Sequence, residues 1–515
     1  MSRKVDQLKS GALLSYLQMA LNIGISLVYT PLMIRLLGKS EYGLYNTVAS
    51  TISALSILSL GFNSSYIRYF AKYKASGDRE SISKLNGLFL IIFVIIGLVA
   101  LACGGFLSGN LDIVFDDGLT ASEYSVARIL MLLLTVNLAI SFPMSVFSNI
   151  ISANERFVVL KLLGMVRTVV GPMVSIPVLL LGFRSVALVV ITLAVSLLTD
   201  VLYVAYVFGP LKNRFVFHGF ERGLFASLFT YTGFIAVNLI VDQINWNLGK
   251  LLLGRFRGTE SVAVYSVGYM IYHYYMTFST SVSGVFTPRI HNIVNTCRDD
   301  RQRRDRELTE LFVKVGRIQF LLLGLIASGL VFFGRQFIAF WAGEGYGQAY
   351  PVMLLLVLPA SIALIQNLGI EVQRAENNHR FRSIVYIVMA IINLVLSVFL
   401  IKAYGEVGAA IGTAVSLVVA NGLIMNIYYH KKCGLDILLF WKNIVRASLG
   451  LAAPIAAGIV LPMFFDYTAP LQYVCAIALY TVVYALSMWL VGMNRYEKEL
   501  CLKPIGRLLK RGRRA

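Results

Sequence analysis

The sequence predicts an all-α polytopic membrane protein, with fourteen transmembrane helices arranged as two pseudo-symmetric six-helix bundles plus two C-terminal helices. Three observations carry that expectation. The chain is 57% hydrophobic and only 14% charged, with a mean hydropathy of +0.73, whereas a soluble globular chain is about 45–50% apolar and about 25% charged. Apolar runs of membrane-crossing length recur from residue 11 to residue 493, so the bilayer is the solvent for most of the chain. Two parts of the chain also repeat one another at an offset of 220–226 residues. The same composition excludes a disordered chain, a collagen and a secreted disulfide scaffold.

The spans read as 11–34, 44–66, 86–108, 125–150, 163–181, 186–208, 226–249, 261–285, 312–334, 351–373, 383–402, 407–429, 444–465 and 472–493. Arg3, Lys4 and Lys9 precede the first. That run is too long for a signal peptide and lacks a small-residue cleavage site, so it reads as an uncleaved transmembrane helix. Tyr and Trp gather near span ends, at the headgroup level. Pro31, Pro143, Pro172, Pro177 and Pro359 fall inside spans and permit bending there. The loops are short, and no soluble domain is inserted.

Net charge is +20. With the N-terminus in the cytoplasm, 36 of the 46 basic residues fall on the cytoplasmic side. Seven fall outside: Arg35, Lys39, Arg184, Arg255, Arg257, Arg335 and Lys402. Arg128, Arg167 and Lys250 lie within or at the edge of spans. This is a positive-inside pattern with both termini cytoplasmic. The excess charge therefore reports topology, with no nucleic acid as partner. The cluster Arg298–Arg306 and the tail Arg507–Arg514 also suit anionic lipids. The five cysteines show no CxxC spacing and no His/Cys cluster, which supports neither a disulfide nor a metal site.

The repeat rests on four matches in order. Gly38 to Tyr45 after the first span parallels Gly258 to Tyr265 after the seventh. Tyr124 parallels Tyr350, Ala153…Arg156-Phe157 parallels Ala375…Arg380-Phe381, and Gly182…Val186-Ala187 parallels Gly405…Ala409-Ala410. Six spans separate the copies, so both enter the membrane in the same direction. The expected division is an N-terminal six-helix bundle at 1–210, a second at 211–432, and two additional helices with a basic tail at 433–515.

Several segments carry a family resemblance: Leu36-Leu37-Gly38-Lys39-Ser40-Glu41-Tyr42-Gly43-Leu44-Tyr45, Leu251 through Tyr265, Trp341-Ala342-Gly343-Glu344-Gly345-Tyr346, and Tyr404-Gly405-Glu406-Val407-Gly408-Ala409-Ala410-Ile411-Gly412-Thr413. In these the chain resembles the bacterial Wzx-type polysaccharide flippases, of the superfamily that also holds the multidrug-and-toxin extruders and the lipid II flippase. The resemblance implies a flippase of the bacterial inner membrane that moves undecaprenyl-pyrophosphate-linked oligosaccharide by alternating access, for O-antigen, capsule or exopolysaccharide synthesis. Other polysaccharide-assembly membrane proteins are possible partners. One alternative is a cation-coupled multidrug exporter of the same fold. Another is a membrane enzyme of polysaccharide assembly. Against the enzyme stands the sequence itself, which has no HExxH, GxxxxGK[ST], GxSxG or CxxC, and whose Asp299-Asp300 is followed by Arg303 rather than completing a DDxxD motif. No cofactor is implied.

Polar residues inside spans need a partner or a wet cavity. In the seventh span Asn238, Asp242 and Asn245 share one helical face, with Gln243, Asn247 and Lys250 on the next. At an offset of 220, Gln18 and Asn22 fall on Asn238 and Asp242. The stripe either lines a substrate cavity or bonds neighbouring helices. Lys250, Arg128 and Arg167 are candidate cations for a pyrophosphate, although the two arginines can also snorkel to an interface. Asp200 and Glu371 read as helix-end partners of arginines. Tyr265, Tyr269 and Tyr272 form either a sugar-facing or an inter-helix aromatic stripe. Asp242 and His273 are the candidates for ion coupling.

Overall fold

The structure, a computed structural model, describes residues 2–59, 61–115, 119–219, 222–297, 299–376 and 380–502. Within them the side chains at 2–6, 8, 9, 12, 222–227, 229–231, 233–235, 237, 238, 242, 244–246 and 380 are left undescribed. Among the described residues the architecture is helical and contains no strand.

Among the described residues ten helices are long and apolar enough to cross a membrane, and a bent pair makes eleven. The fourteen expected spans relate to these in a simple way. The stretch Phe381–Lys431 is 51 residues long and holds two expected spans, joined across Gly405, whose φ of 58 departs from the helix. The expected seventh and eighth spans are helical, as α8 and α9; the eighth is rich in Tyr, Ser, Thr and His, and most side chains of the seventh lie outside the described residues.

The chain forms two compact units, Met1–Ser266 with Ser397–Ala409, and Val267–Leu396 with Ala410–Ala515. The first contains α1 (Ser2–Leu37), α2 (Lys39–Ala54), α3 (Phe62–Ala75), α4 (Arg79–Gly109), α5 (Ala121–Ala153), α6 (Phe157–Leu180), α7 (Ser185–Phe208) and α8 (Arg222–Arg257), and also the start of α9 (Thr259–Gly284). Local chemistry sets the helix starts. Asp78 accepts the Ser81 amide at 2.9 Å and begins α4. Thr120 and Glu123 form a reciprocal capping box at α5. The prolines lie within continuous helices, Pro31 in α1, Pro143 in α5, and Pro172 and Pro177 in α6.

The core of the first unit is aromatic: Tyr66 meets Phe89 edge-on at 5.2 Å, beside Phe62 and Phe93. Residues 209–219, between the expected repeats, run as a strap along α4. Val216 donates its amide to the Ser83 carbonyl at 3.0 Å, and Asn86 donates to the Arg214 carbonyl at 3.0 Å while accepting from the Tyr66 hydroxyl at 2.6 Å.

The second unit takes most of α9, then α10 (Thr287–Thr296), α11 (Arg301–Ala342), α12 (Ala349–Ile365) and α13 (Leu368–Ala375). It continues with most of α14 (Arg380–Leu417), a π-helical turn Val418–Ile424, α15 (Met425–Lys431), α16 (Ile437–Ser448), α17 (Ala452–Val460) and α18 (Pro470–Ser487). With 42 residues, α11 is roughly 63 Å long at 1.5 Å per residue, about twice the hydrocarbon thickness of a bilayer. Its first turns are zippered by Arg301–Asp305, Arg303–Glu307 and Arg306–Glu310 pairs at 3.7, 2.8 and 3.3 Å. The basic cluster expected at Arg298–Arg306 is thus largely charge-compensated on a helix face; Arg298 itself lies outside the described residues, as does the tail from residue 503.

One side of α11 is covered by the C-terminal helices. Tyr473 and Tyr484 donate their hydroxyls to the Phe333 and Leu321 carbonyls at 2.9 and 2.8 Å. Arg317 and Glu497 form a buried bidentate ion pair at 2.6 and 2.9 Å. Asn494 and Glu497 cap the helical residues 495–502 reciprocally, each amide bonding the other's side chain at 2.9 Å.

Candidate functional site

In the first unit the two copies of the repeated motif pack against each other. Gly38 separates α1 from α2 with a φ of 78, a conformation that suits glycine. The next residues then face the start of α9. Lys39 pairs with Glu260 at 3.3 Å. Ser40 donates its hydroxyl to the Glu123 carboxylate and lies 3.2 Å from the Thr259 hydroxyl. Gly43 makes the close approach, because a Cβ there would stand 1.8 Å from the Thr259 carbonyl oxygen. It also lies beside the Ala263 amide, and Ala263 is the residue that matches Gly43 at an offset of 220.

Glu41 turns the other way and caps α7. It accepts from the Ser185 amide and hydroxyl at 2.9 and 2.6 Å, and from Arg184 at 3.1 Å. Arg255 donates to the Ile113 carbonyl at 2.6 Å, Arg257 donates to the Ile401 carbonyl at 3.1 Å, and the Lys402 ammonium lies 4.9 Å over the Phe256 ring. Five of the seven basic residues expected on the external side are therefore engaged by specific groups of this unit, which gives each a structural reason to stand against the positive-inside trend.

The structure places the sequence-predicted residues as follows. Asn238, Asp242 and Asn245 lie on α8, with side chains outside the described residues. On the same helix Gln243 donates to the Ser56 hydroxyl at 2.6 Å and accepts from Asn247, so this part of the stripe bonds a neighbouring segment. Lys250 is half-buried. The Gln18 amide packs on Gly164 of α6, where a Cβ would stand 2.9 Å from it, while Asn22, one turn on, is exposed. Arg167 is exposed on α6 and interacts electrostatically with Asp200 and Tyr203 of α7. The expected helix-end pairing of Glu371 is made with Arg374 at 2.7 Å.

Arg128 is exposed on α5. Tyr265, Tyr269 and Tyr272 are buried, the last two edge-on at 5.6 Å. His273, beside them, is exposed. Sequence reading missed the mutual contact of the two motif copies, although the repeat itself signalled that the copies matter. It also missed Arg317, counted with a cytoplasmic loop because of its charge.

A chain of this kind, with ten or more membrane-crossing helices and little outside them, is a multi-pass membrane protein. Residues 8–294 match the family described as polysaccharide biosynthesis protein, and the chain belongs to that family. It is 19% identical over 410 residues to a Shigella flexneri protein named "Putative O-antigen transporter", covering 77% of this chain and 91% of that one. It is 22% identical over 438 residues to the "Uncharacterized membrane protein EpsK" of Bacillus subtilis, covering 82% and 83%. Among solved structures its fold is that of the lipid II flippase MurJ in an inward closed conformation, with TM-score 0.68, 15% identity and 93% and 97% of the two chains covered. It is also that of an inward-facing multidrug resistance MATE family transporter of the MOP superfamily, with TM-score 0.63, 14% identity and 82% and 99% covered. The resemblance to Wzx-type flippases drawn from the loop motifs agrees with both sets of matches.

Proposed function

We propose that the protein is a flippase for undecaprenyl-pyrophosphate-linked oligosaccharide, acting without covalent chemistry in the bacterial inner membrane. The observation that carries this reading is the coincidence of a polysaccharide-biosynthesis family match over residues 8–294 with the fold of a lipid II flippase over nearly the whole chain. The proposed layout is fourteen crossings: six-helix repeats at 1–210 and 211–432, and two added helices at 433–515, with both termini cytoplasmic. Repeats and compact units divide the chain differently, because α8 packs with the first unit.

The contact of the two motif copies supports alternating access. It joins side chains by one ion pair, a hydroxyl contact and a glycine approach, with no covalent or metal link. In this proposal it is the closed outer gate, and it separates when the head group is released outside. Gln18, Asn22, Arg128, Arg167, Asn238, Asp242, Asn245, Asn247, Lys250, Tyr269 and Tyr272 remain the candidate cavity residues. Asp242 and His273 remain those for ion coupling. The polyprenyl tail stays in lipid while the charged head is compensated by partly hydrated cations.

The test is removal of the protein from its host. The reading expects a complete lipid-linked oligosaccharide to accumulate on the cytoplasmic face, with surface polysaccharide lost. The fold it shares with the MATE transporter favours drug export as a second reading, which predicts unchanged polysaccharide and increased sensitivity to cationic drugs.

A further inference from the structure

In the second unit an uncharged polar network surrounds a broken span. Between α12 and α13 the chain bends by 45° at Gln366 and Asn367. Irregular backbone at membrane depth persists only where protein groups or a polar cavity satisfy it. Gln366 is 2% exposed, and its amide donates to the Asn426 side-chain oxygen at 2.9 Å. The same oxygen accepts from Trp441 Nε1 at 3.0 Å, while Asn426 Nδ2 donates to the Asn421 and Gly422 carbonyls of the π-helical turn, both at 2.8 Å.

This chain of donors and acceptors admits one orientation. Indole nitrogen only donates and backbone carbonyls only accept. Asn426 must therefore present its oxygen to Trp441, and Gln366 must present its nitrogen to Asn426. Gln366 Oε1 is left buried without a hydrogen-bond partner. The same logic fixes Gln319, which is 1% exposed. It donates to the Ser279 carbonyl at 3.1 Å, and its Oε1 is likewise buried and unpartnered.

The two glutamines flank one crossing. The Ser279 hydroxyl donates to the Leu364 carbonyl at 3.2 Å, two residues before Gln366. Gly316, one turn before Gln319, lies against Ile365, where a Cβ would stand 2.9 Å from the carbonyl oxygen. Both open groups are acceptors, so their complement is a donor or a cation. Each group named in the network is an uncharged amide, hydroxyl, indole or carbonyl. Divalent ions favour carboxylate-rich sites, whereas half-broken membrane helices offer carbonyl oxygens to monovalent ions.

We propose that this crossing of α9, α11 and α12 binds a small monovalent cation through Gln319 Oε1, Gln366 Oε1 and neighbouring carbonyl oxygens. The site is separate from the α8 stripe and does not depend on what the protein transports. The test is thermal unfolding of the full-length protein in detergent, in lithium, sodium, potassium or choline chloride at equal ionic strength. One of the alkali ions should raise the midpoint over choline by roughly 2–4 °C. Gln319→Glu adds a negative charge at the same place and should enlarge that shift. Gln319→Met keeps the length, removes the acceptor and should abolish it. Identical midpoints in all four salts, for the native protein and for Gln319→Glu, would overturn the proposal and leave an ordered water in the site. Should Gln319→Met fail to fold, the native and Gln319→Glu comparison decides alone.

Discussion

A guanidinium at the centre of a span costs roughly 2.5–3.5 kcal/mol on insertion scales, so its donors must be met. Arg317 meets them with both Glu497 oxygens and with the Asn443 and Gly492 carbonyls, each at 2.8 Å for the carbonyls. Removing one partner of a buried pair costs about 3–5 kcal/mol, because the other charge stays buried, while replacing both can be nearly neutral. Arg317→Met should therefore lower the unfolding midpoint and membrane abundance sharply, and Arg317→Met with Glu497→Met should recover part of both. Equal losses in the single and double variants would show that the pair is not the source. In the same unit, just past α13, burial pushes the Glu376 carboxyl above its ordinary value, against the pull of Arg304, which lies 3.5 Å away. The folded protein holds that proton more tightly than the unfolded chain. Its contribution is complete below the ordinary glutamate value of 4.5 and is lost as pH rises through the raised one. Glu376→Gln should flatten the midpoint against pH in that window, and an unchanged slope would refute the assignment.

At the scale of elements, helices were legible wherever apolar runs and caps agreed. Asp78, Thr120, Asp300 and Asp436 each accept a backbone amide three residues on and begin α4, α5, α11 and α16. Breaks were less legible. Proline drew attention to Pro359, yet α12 runs through it and breaks at Gln366 and Asn367, where no residue type announces a bend. The site was legible in type more than in partner. Periodicity puts Gln243 and Asn247 on one face of a helix, but only tertiary packing brings that face to Ser56. Gly43 shows the same limit, since its repeat position was visible and its contact was not. A Cβ 1.8 Å from a carbonyl oxygen cannot be accommodated without moving α2 from α9. Gly43→Val should prevent the two motif copies from closing and should abolish complementation of surface polysaccharide, with membrane abundance held above half of the native level. Gly24→Val, where nothing lies within 4 Å, is the matched control. Normal polysaccharide from Gly43→Val would reject the gate.

The whole molecule is governed by where its charge can reside. Thirty-six of 46 basic residues fall on one side of the fourteen-crossing scheme. On the other side, Lys39, Arg184, Arg255, Arg257 and Lys402 are each held by a specific partner. Charges that anchor loops in this way need not dictate orientation, because they fold onto protein groups after insertion; exposed cytoplasmic charges do dictate it. The strongest orienting element is then the stretch from Arg289 through Arg306, which carries six basic residues before the ninth expected span. Its i,i+4 acidic partners do not cancel this effect, since acidic residues contribute little to the rule. Reporter fusions after residues 115, 257 and 345 should read external, and fusions after 76 and 300 internal. The fusion after 257 is the most discriminating, because it follows α8, which carries the polar stripe from Asn238 to Lys250. An external signal there with an internal signal at 300 requires α8 and α9 both to cross. An internal signal at 257 would remove α8 as a crossing, put the first motif copy on the opposite side from the second, and contradict the contact between Gly43 and Thr259 on which the gate depends.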